Sequence, residues 1–144
     1  MFTANWSRWP ERLRGEAVLF SIELAIPANT AVLTPTRAVL PVSQGVVRHV
    51  WVRWHWGSGN LCGVRALYSQ FVHWPFAVGE WFYSSPYPVD FAEDYSLDVE
   101  PYEIAIEGYN SDDTYAHSVW LAFNILRELP SSDTEAFLAS LRGE

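Results

Sequence analysis

With 144 residues, 49% hydrophobic and 16% aromatic, the chain has the size and apolar content of one domain with a single core, which excludes disorder as its main state. Its nine basic residues are all Arg and face seventeen acids, and the net charge of −8 excludes nucleic acid as the main partner, since phosphate recognition needs a dominant basic surface. Seven Arg against four Glu precede Asp90, a balance of +3, and two Arg against thirteen acids follow from Asp90 onward, a balance of −11, an asymmetry that fits self-association or a solvated acidic flank.

Residues 1–15 hold Trp6, Trp9 and Pro10 among Arg8, Arg12 and Arg14 without strand or helix periodicity, and read as an arm whose indoles pack on something. The same segment lacks the apolar core of a signal peptide, and no apolar run reaches the roughly 20 residues that span a bilayer. Synthesis in a reducing cytoplasm, without membrane insertion, is therefore expected. Ala17 to Ile26 reads as a strand, with Val18, Phe20, Ile22, Leu24 and Ile26 on one face and Ser21 and Glu23 on the other. Thr36 to Val42 is a shorter strand bounded by Pro35 and Pro41, which favour an edge position.

Val46 to Ser69 reads as a hairpin of two long strands. Val46, Val50, Val52, Trp54 and Trp56 share a parity that only Arg48 interrupts, and are expected in the core. Val47, His49, Trp51, Arg53 and His55 form the other, polar and aromatic face. Gly57-Ser58-Gly59-Asn60 supplies the turn, and Leu61, Val64, Leu67 and Tyr68 resume the apolar pattern.

Phe71 to Asp90 reads as a long aromatic loop with a short strand near Trp81 to Tyr83, and its Trp74 and Trp81 are expected contacts. Phe91 to Val99 is an acidic edge strand. Tyr102 to Tyr109 alternates as a strand, and a turn at Asn110-Ser111-Asp112-Asp113 follows. Tyr115 to Leu126 fits either a strand or a buried helix; its Trp, Val, Phe and Ile favour the strand. Ser132 and Glu135 have capping-box spacing, which predicts a helix over Asp133 to Arg142. These elements predict an all-β, jelly-roll-like antiparallel sandwich (16–129) with an N-terminal arm (1–15) and a short helical tail (130–144).

Chemical signatures are sparse. Cys62, the lone cysteine, could pair with His49, His55, His73 or His117 as a nucleophile, but its place in a strand favours a small buried residue. His49 and His55 lie roughly 20 Å apart along a strand and cannot share a metal. Asp112 and Asp113 with Asp90, Glu93, Asp94 and Asp98 could gather around Ca²⁺, but the spacing of a Ca²⁺-binding loop is absent. Glu80, Asp94, Glu103 and Glu107 could include a glycosidase pair, with ordinary solvation favoured. No catalytic residue, cofactor or metal is assigned.

The segments ELAIPANT, PVSQGVVRHVWVRW and PYEIAIEGYNSDDTYAHSVWLAFNIL resemble, in strand order and turn chemistry, small β-sandwich virion proteins of tailed phages, the capsid decoration or cement class. The resemblance covers about residues 16–127 and implies a disulfide-free domain without catalytic residues, made in the cytoplasm and carried on the virion. It also implies a homo-oligomer, often a trimer, that binds a capsid or other particle protein through arms and loops. Trp6, Arg8 and Trp9 in the arm, His49, Trp51 and Arg53 on the strand face, and Trp74 and Trp81 in the loop are the expected interface. Two alternatives remain: from the high Trp content, a glycan-binding module using Trp51 or Trp81; from the charge asymmetry, an inhibitor or immunity protein presenting its acidic C-terminal third to a basic enzyme.

Overall fold

The computed structural model of the chain describes residues 15–77, 79–128 and 141. The expected arm residues Trp6, Arg8 and Trp9, and the expected tail helix apart from Leu141, lie outside the described residues. Nine strands are present among the described residues: β1 (Gly15–Ile26), β2 (Thr36–Pro41), β3 (Gly45–Trp54), β4 (Cys62–Tyr68), β5 (Phe71–Trp74), β6 (Phe82–Tyr83), β7 (Val89–Leu97), β8 (Glu103–Asn110) and β9 (His117–Glu128). They form two antiparallel sheets packed face to face. One has the order β1-β9-β3-β7; the other has β2-β8-β4-β5, with β6 pairing β4 beside β5. The chain is thus all-β, as expected.

Alternation places the core. Leu24 and Ile26 of β1, and Val119, Leu121, Phe123 and Ile125 of β9, point inward on the expected parity, and the ambiguous Tyr115 to Leu126 stretch is strand. From the other sheet Val64, Ala66, Ile104 and Ile106 meet them. Gly108 allows close approach of the layers, because a Cβ there would collide with Ile26. The proline-flanked β2 and the acidic β7 lie on sheet edges, where an absent N–H or repelling charges are tolerated.

Several expectations are corrected. Val46 to Ser69 is not a hairpin: β3 pairs with β7 and β9, β4 pairs with β5, β6 and β8, and the intervening loop carries the chain from one sheet to the other. The physical reason is that both strands have an apolar face. Val47, Val50, Val52 and Trp54 confront Cys62, Val64, Ala66 and Tyr68 across the core instead of lying beside them. The parity of β3 also breaks at Arg48, where both of its ladders shift register between Val47 and His49. This bulge turns Arg48 outward and buries Val47 in place of Val46. Trp56 lies beyond the last residue of β3 and is 100% exposed, so it is not part of the core.

Trp74 and Trp81, expected at an interface, are 1% and 7% exposed. Trp74 leaves the end of β5 and reaches the opposite sheet, where its ring packs 5.3 Å from Phe123 and edge-on to Tyr95 at 5.7 Å. Its Nε1 donates to Glu93 Oε2 at 2.9 Å. An apolar ring with a satisfied polar tip is stable inside, so proximity to a loop did not make Trp74 a contact residue. Replacement Trp74→Ala is predicted to cost about 3–5 kcal/mol in urea unfolding, the range for removing a buried indole. A loss below about 1 kcal/mol would contradict its place in the core.

Candidate functional site

The outer faces of the two sheets differ. On the second, Trp81 lies edge-on against Tyr109 at 5.0 Å, and the Arg65 guanidinium sits 4.2 Å from the Trp81 ring centre. Gly63 makes room for Tyr109, since a Cβ would strike its ring. Arg65 and Arg37 both pair with Glu107, at 2.9 and 3.1 Å. The segment from Trp74 to Phe82 therefore covers part of this face with its own aromatic, and the charges there satisfy one another.

The outer face of the first sheet carries aromatic and polar groups that the protein leaves partly in water. Register sets Trp51 of β3 beside Ala122 of β9 and Asp90 of β7, so the indole rises over a small neighbour. The His49 ring lies 4.3 Å from the Trp51 ring, and its Nε2 is 2.9 Å from Asp90 Oδ1. One row further along, Glu23 of β1 pairs with Trp120 of β9, which pairs with Arg53 of β3. A carboxylate, an indole and a guanidinium thus stand on three adjacent strands, with Cβ atoms about 5 Å apart between neighbours. None of the Arg–carboxylate pairs among the described residues uses Arg53. The structure thus brings His49, Trp51 and Arg53 to one face, away from Trp74 and Trp81.

At the end of this face Glu23, Arg53, Trp54, His55, Trp56 and Trp120 line an open groove of about 590 Å³. His55 Nε2 lies 3.0 Å from Glu23 Oε1, which orients the carboxylate, and the His55 N–H extends the ladder by donating to Ser118 O at 3.0 Å. Beyond Trp56 a second hollow of about 340 Å³ is lined by the same Trp54, His55 and Trp56 with Gly57, Ser58, Gly59, Ser85 and Pro86. Trp54 is buried, and its Nε1 has no hydrogen-bond partner among the described residues.

The loop that displays Trp56 is anchored. Ser58 is buried and donates through Oγ to His55 O, Leu61 N–H donates to Ser58 O, and Ser84 Oγ donates to Gly59 O. Gly57 and Gly59 supply positive φ angles of 88° and 56° that side-chain-bearing residues avoid. A fully exposed indole forgoes the gain of burying some 150 Å² of ring, about 4 kcal/mol.

Sequence reading missed Trp56 and Glu23 as site residues and left Trp120 unplaced. The available signal was the position of Trp56 directly before the Gly57-Ser58-Gly59 turn. Nothing in the sequence places Glu23 beside Trp120, because register between distant strands is not local information.

The candidate nucleophile is occupied otherwise. Cys62 is buried and its Sγ donates to Asn110 Oδ1 at 3.2 Å; burial, and then the charge of Asp112, push its thiol up to about 11. Asn110 is itself buried, donating through Nδ2 to Ile26 O and Tyr115 O and accepting from Asp112 N–H at Oδ1. Asp112 accepts from Thr114 N–H at 2.9 Å and lies 2.8 Å from His117 Nε2, contacts that hold its carboxyl below the ordinary value, the His117 bond most of all. This cluster closes the corner where β1, β4, β8 and β9 converge. Among the described residues no three His, Cys, Asp or Glu side chains gather in a metal-binding group. No family model matches the chain, and no curated protein matches it.

Two predictions follow from the corner. A thiol held near 11 is almost wholly protonated at neutral pH, so Cys62 in the folded protein should resist iodoacetamide at pH 7.5 and react after unfolding in urea. Labelling of the native protein as fast as that of free cysteine would contradict it. Asp112, with its carboxyl lowered from 3.8 in the native state, contributes stability above its unfolded value that is lost as pH falls through the lowered one. Replacement Asp112→Asn should lower Tm by a few degrees at neutral pH, and the difference from the parent should shrink below about pH 4 and vanish near pH 2. An equal difference at all pH values would contradict the role of the charged form.

Proposed function

We propose that the chain is a non-enzymatic structural protein with a jelly-roll sandwich that associates with itself and decorates or stabilises a virus-like particle. The jelly roll is supported by strand order: successive strands alternate between layers, apart from the short β5 and β6 that follow β4 in the same layer. Cys62 is a structural residue in this reading and not a nucleophile, since its thiol is hydrogen-bonded, buried and raised far above neutrality. The particle-binding role rests on the resemblance to phage decoration proteins, with His49, Trp51 and Arg53 as the docking face. Synthesis is cytoplasmic and the destination is the virion.

The observation that carries self-association is the outer edge of β1. The other edges are guarded: β7 carries Asp90, Glu93 and Asp94 and itself sets two residues, Glu93 and Asp94, opposite Arg48, β2 has six residues with Pro41 at its end, and β5 and β6 are short. β1 runs for twelve residues without proline, keeps continuous register with β9, and hydrogen-bonds to no other strand among the described residues. Such an edge accepts another strand unless charge or shape prevents it. A second copy placed antiparallel along β1 would join two four-stranded sheets into one.

Sedimentation equilibrium should give a mass of two or more copies. Leu19→Lys, at an exposed position of β1, should shift the protein to monomer with little change in Tm. A parent protein that stays monomeric at high concentration, or an oligomer indifferent to Leu19→Lys, would overturn the β1 interface. Failure of the oligomer to co-purify with or rebind to particles would remove the decorating role alone.

A further inference from the structure

We infer that the groove between Trp120 and Trp56 binds a neutral oligosaccharide. This site opens on the outer face of the sheet, takes only Glu23 from β1, and does not depend on self-association. Its volume of about 590 Å³ lies within the range of small-ligand sites, and the adjoining hollow of about 340 Å³ extends it past Trp56. An extended ligand can therefore run from Trp120 across Trp56 toward Ser85 and Pro86.

The lining defines the chemistry. A sugar ring has C–H faces that pack on flat aromatic surfaces and hydroxyls at its rim that both donate and accept. The groove offers the indoles of Trp56 and Trp120, the carboxylate of Glu23 as acceptor, and the guanidinium of Arg53 as donor. His55 holds Glu23 in place at 3.0 Å. Trp56 stands on an anchored loop, so the backbone beneath its ring needs no ordering on binding.

Other ligands fit these groups less well. A phosphate or polyanion attracted by Arg53 meets the carboxylate of Glu23, and a cation attracted by Glu23 meets Arg53. A metal ion would find only one carboxylate and one imidazole, already paired with each other. An acyl chain would leave the Arg53 guanidinium without a partner in a dry groove and would strip water from the Glu23–His55 pair. A neutral polyhydroxyl ligand satisfies both signs at once.

The test is a titration of the intact chain with neutral gluco-, xylo-, manno-, galacto- and chito-oligosaccharides, followed by calorimetry and by tryptophan fluorescence. Saturable binding to at least one series is expected, with an indole emission shift and little dependence on salt. Trp56→Ala, at a fully exposed position where folding is not at stake, should weaken binding about tenfold or more, and Glu23→Gln should weaken it severalfold. Leu19→Lys should leave the affinity unchanged, which separates this site from assembly. The proposal is overturned by the absence of binding across the panel, by binding that survives both Trp56→Ala and Trp120→Ala, or by a preference for charged polymers or peptides with steep salt dependence.

Discussion

One side chain crosses from layer to layer and fixes the weakest strand of the fold. Trp74 starts from the short β5 of one sheet and ends against Phe123 and Tyr95 of the other, with its N–H on Glu93. Sheets packed about 10 Å apart are ordinarily held by many small contacts. Here the Trp74 ring, with the His73–Tyr95 hydrogen bond of 2.8 Å beside it, spans the gap at the side where the second sheet is weakest, since β5 and β6 have only four and two residues. A short strand cannot hold its place by ladder hydrogen bonds alone, and Trp74 supplies the anchorage that its length lacks.

That anchorage has a consequence for the surface. With Trp74 drawn inward, the chain that follows returns over the outer side of the second sheet and sets Trp81 on Tyr109 and Arg65. One outer face thereby receives an aromatic cover from within the chain. The face of β1, β9 and β3 receives none among the described residues, so Trp51, Trp120 and Trp56 keep their exposure. The distribution of these aromatics between covered and exposed positions thus follows the path of one connection.

The strands of this fold were largely legible, and their partners were not. Strict alternation in β1, β8 and β9, and proline at the borders of β2, specify extended chain, the buried side and even an edge position. Alternation says only that a side chain points inward, however, and inward is the same for neighbours in a sheet and for strands facing across the core. This is why β3 and β4 read as a hairpin although they belong to different layers. The same limit hid the groove, since Glu23, Arg53 and Trp120 come from three distant segments and meet only through register. Trp74 and Trp81 misled for another reason: residues flanked by proline and glycine resemble loop contacts, and burial of the indoles depends on where the loop is tied.

The bulge at Arg48 shows how one polar residue can carry position in place of energy. Unbroken alternation from Val50 would have pointed this guanidinium into the core, where an unpaired charge is not tolerated. Against β9 the strand instead spends one extra residue, and Arg48 turns to solvent beside Asp94 at 3.3 Å, an exposed ion pair of little intrinsic worth. An apolar side chain at 48 would remove the reason for that detour. Val46 and Val47 could then each claim the inner position, and the first half of β3 would have two alignments of similar merit against β9. Arg48 thus acts as an index mark along the strand, excluding the alternative alignment in a stretch where valines on either side would accept both.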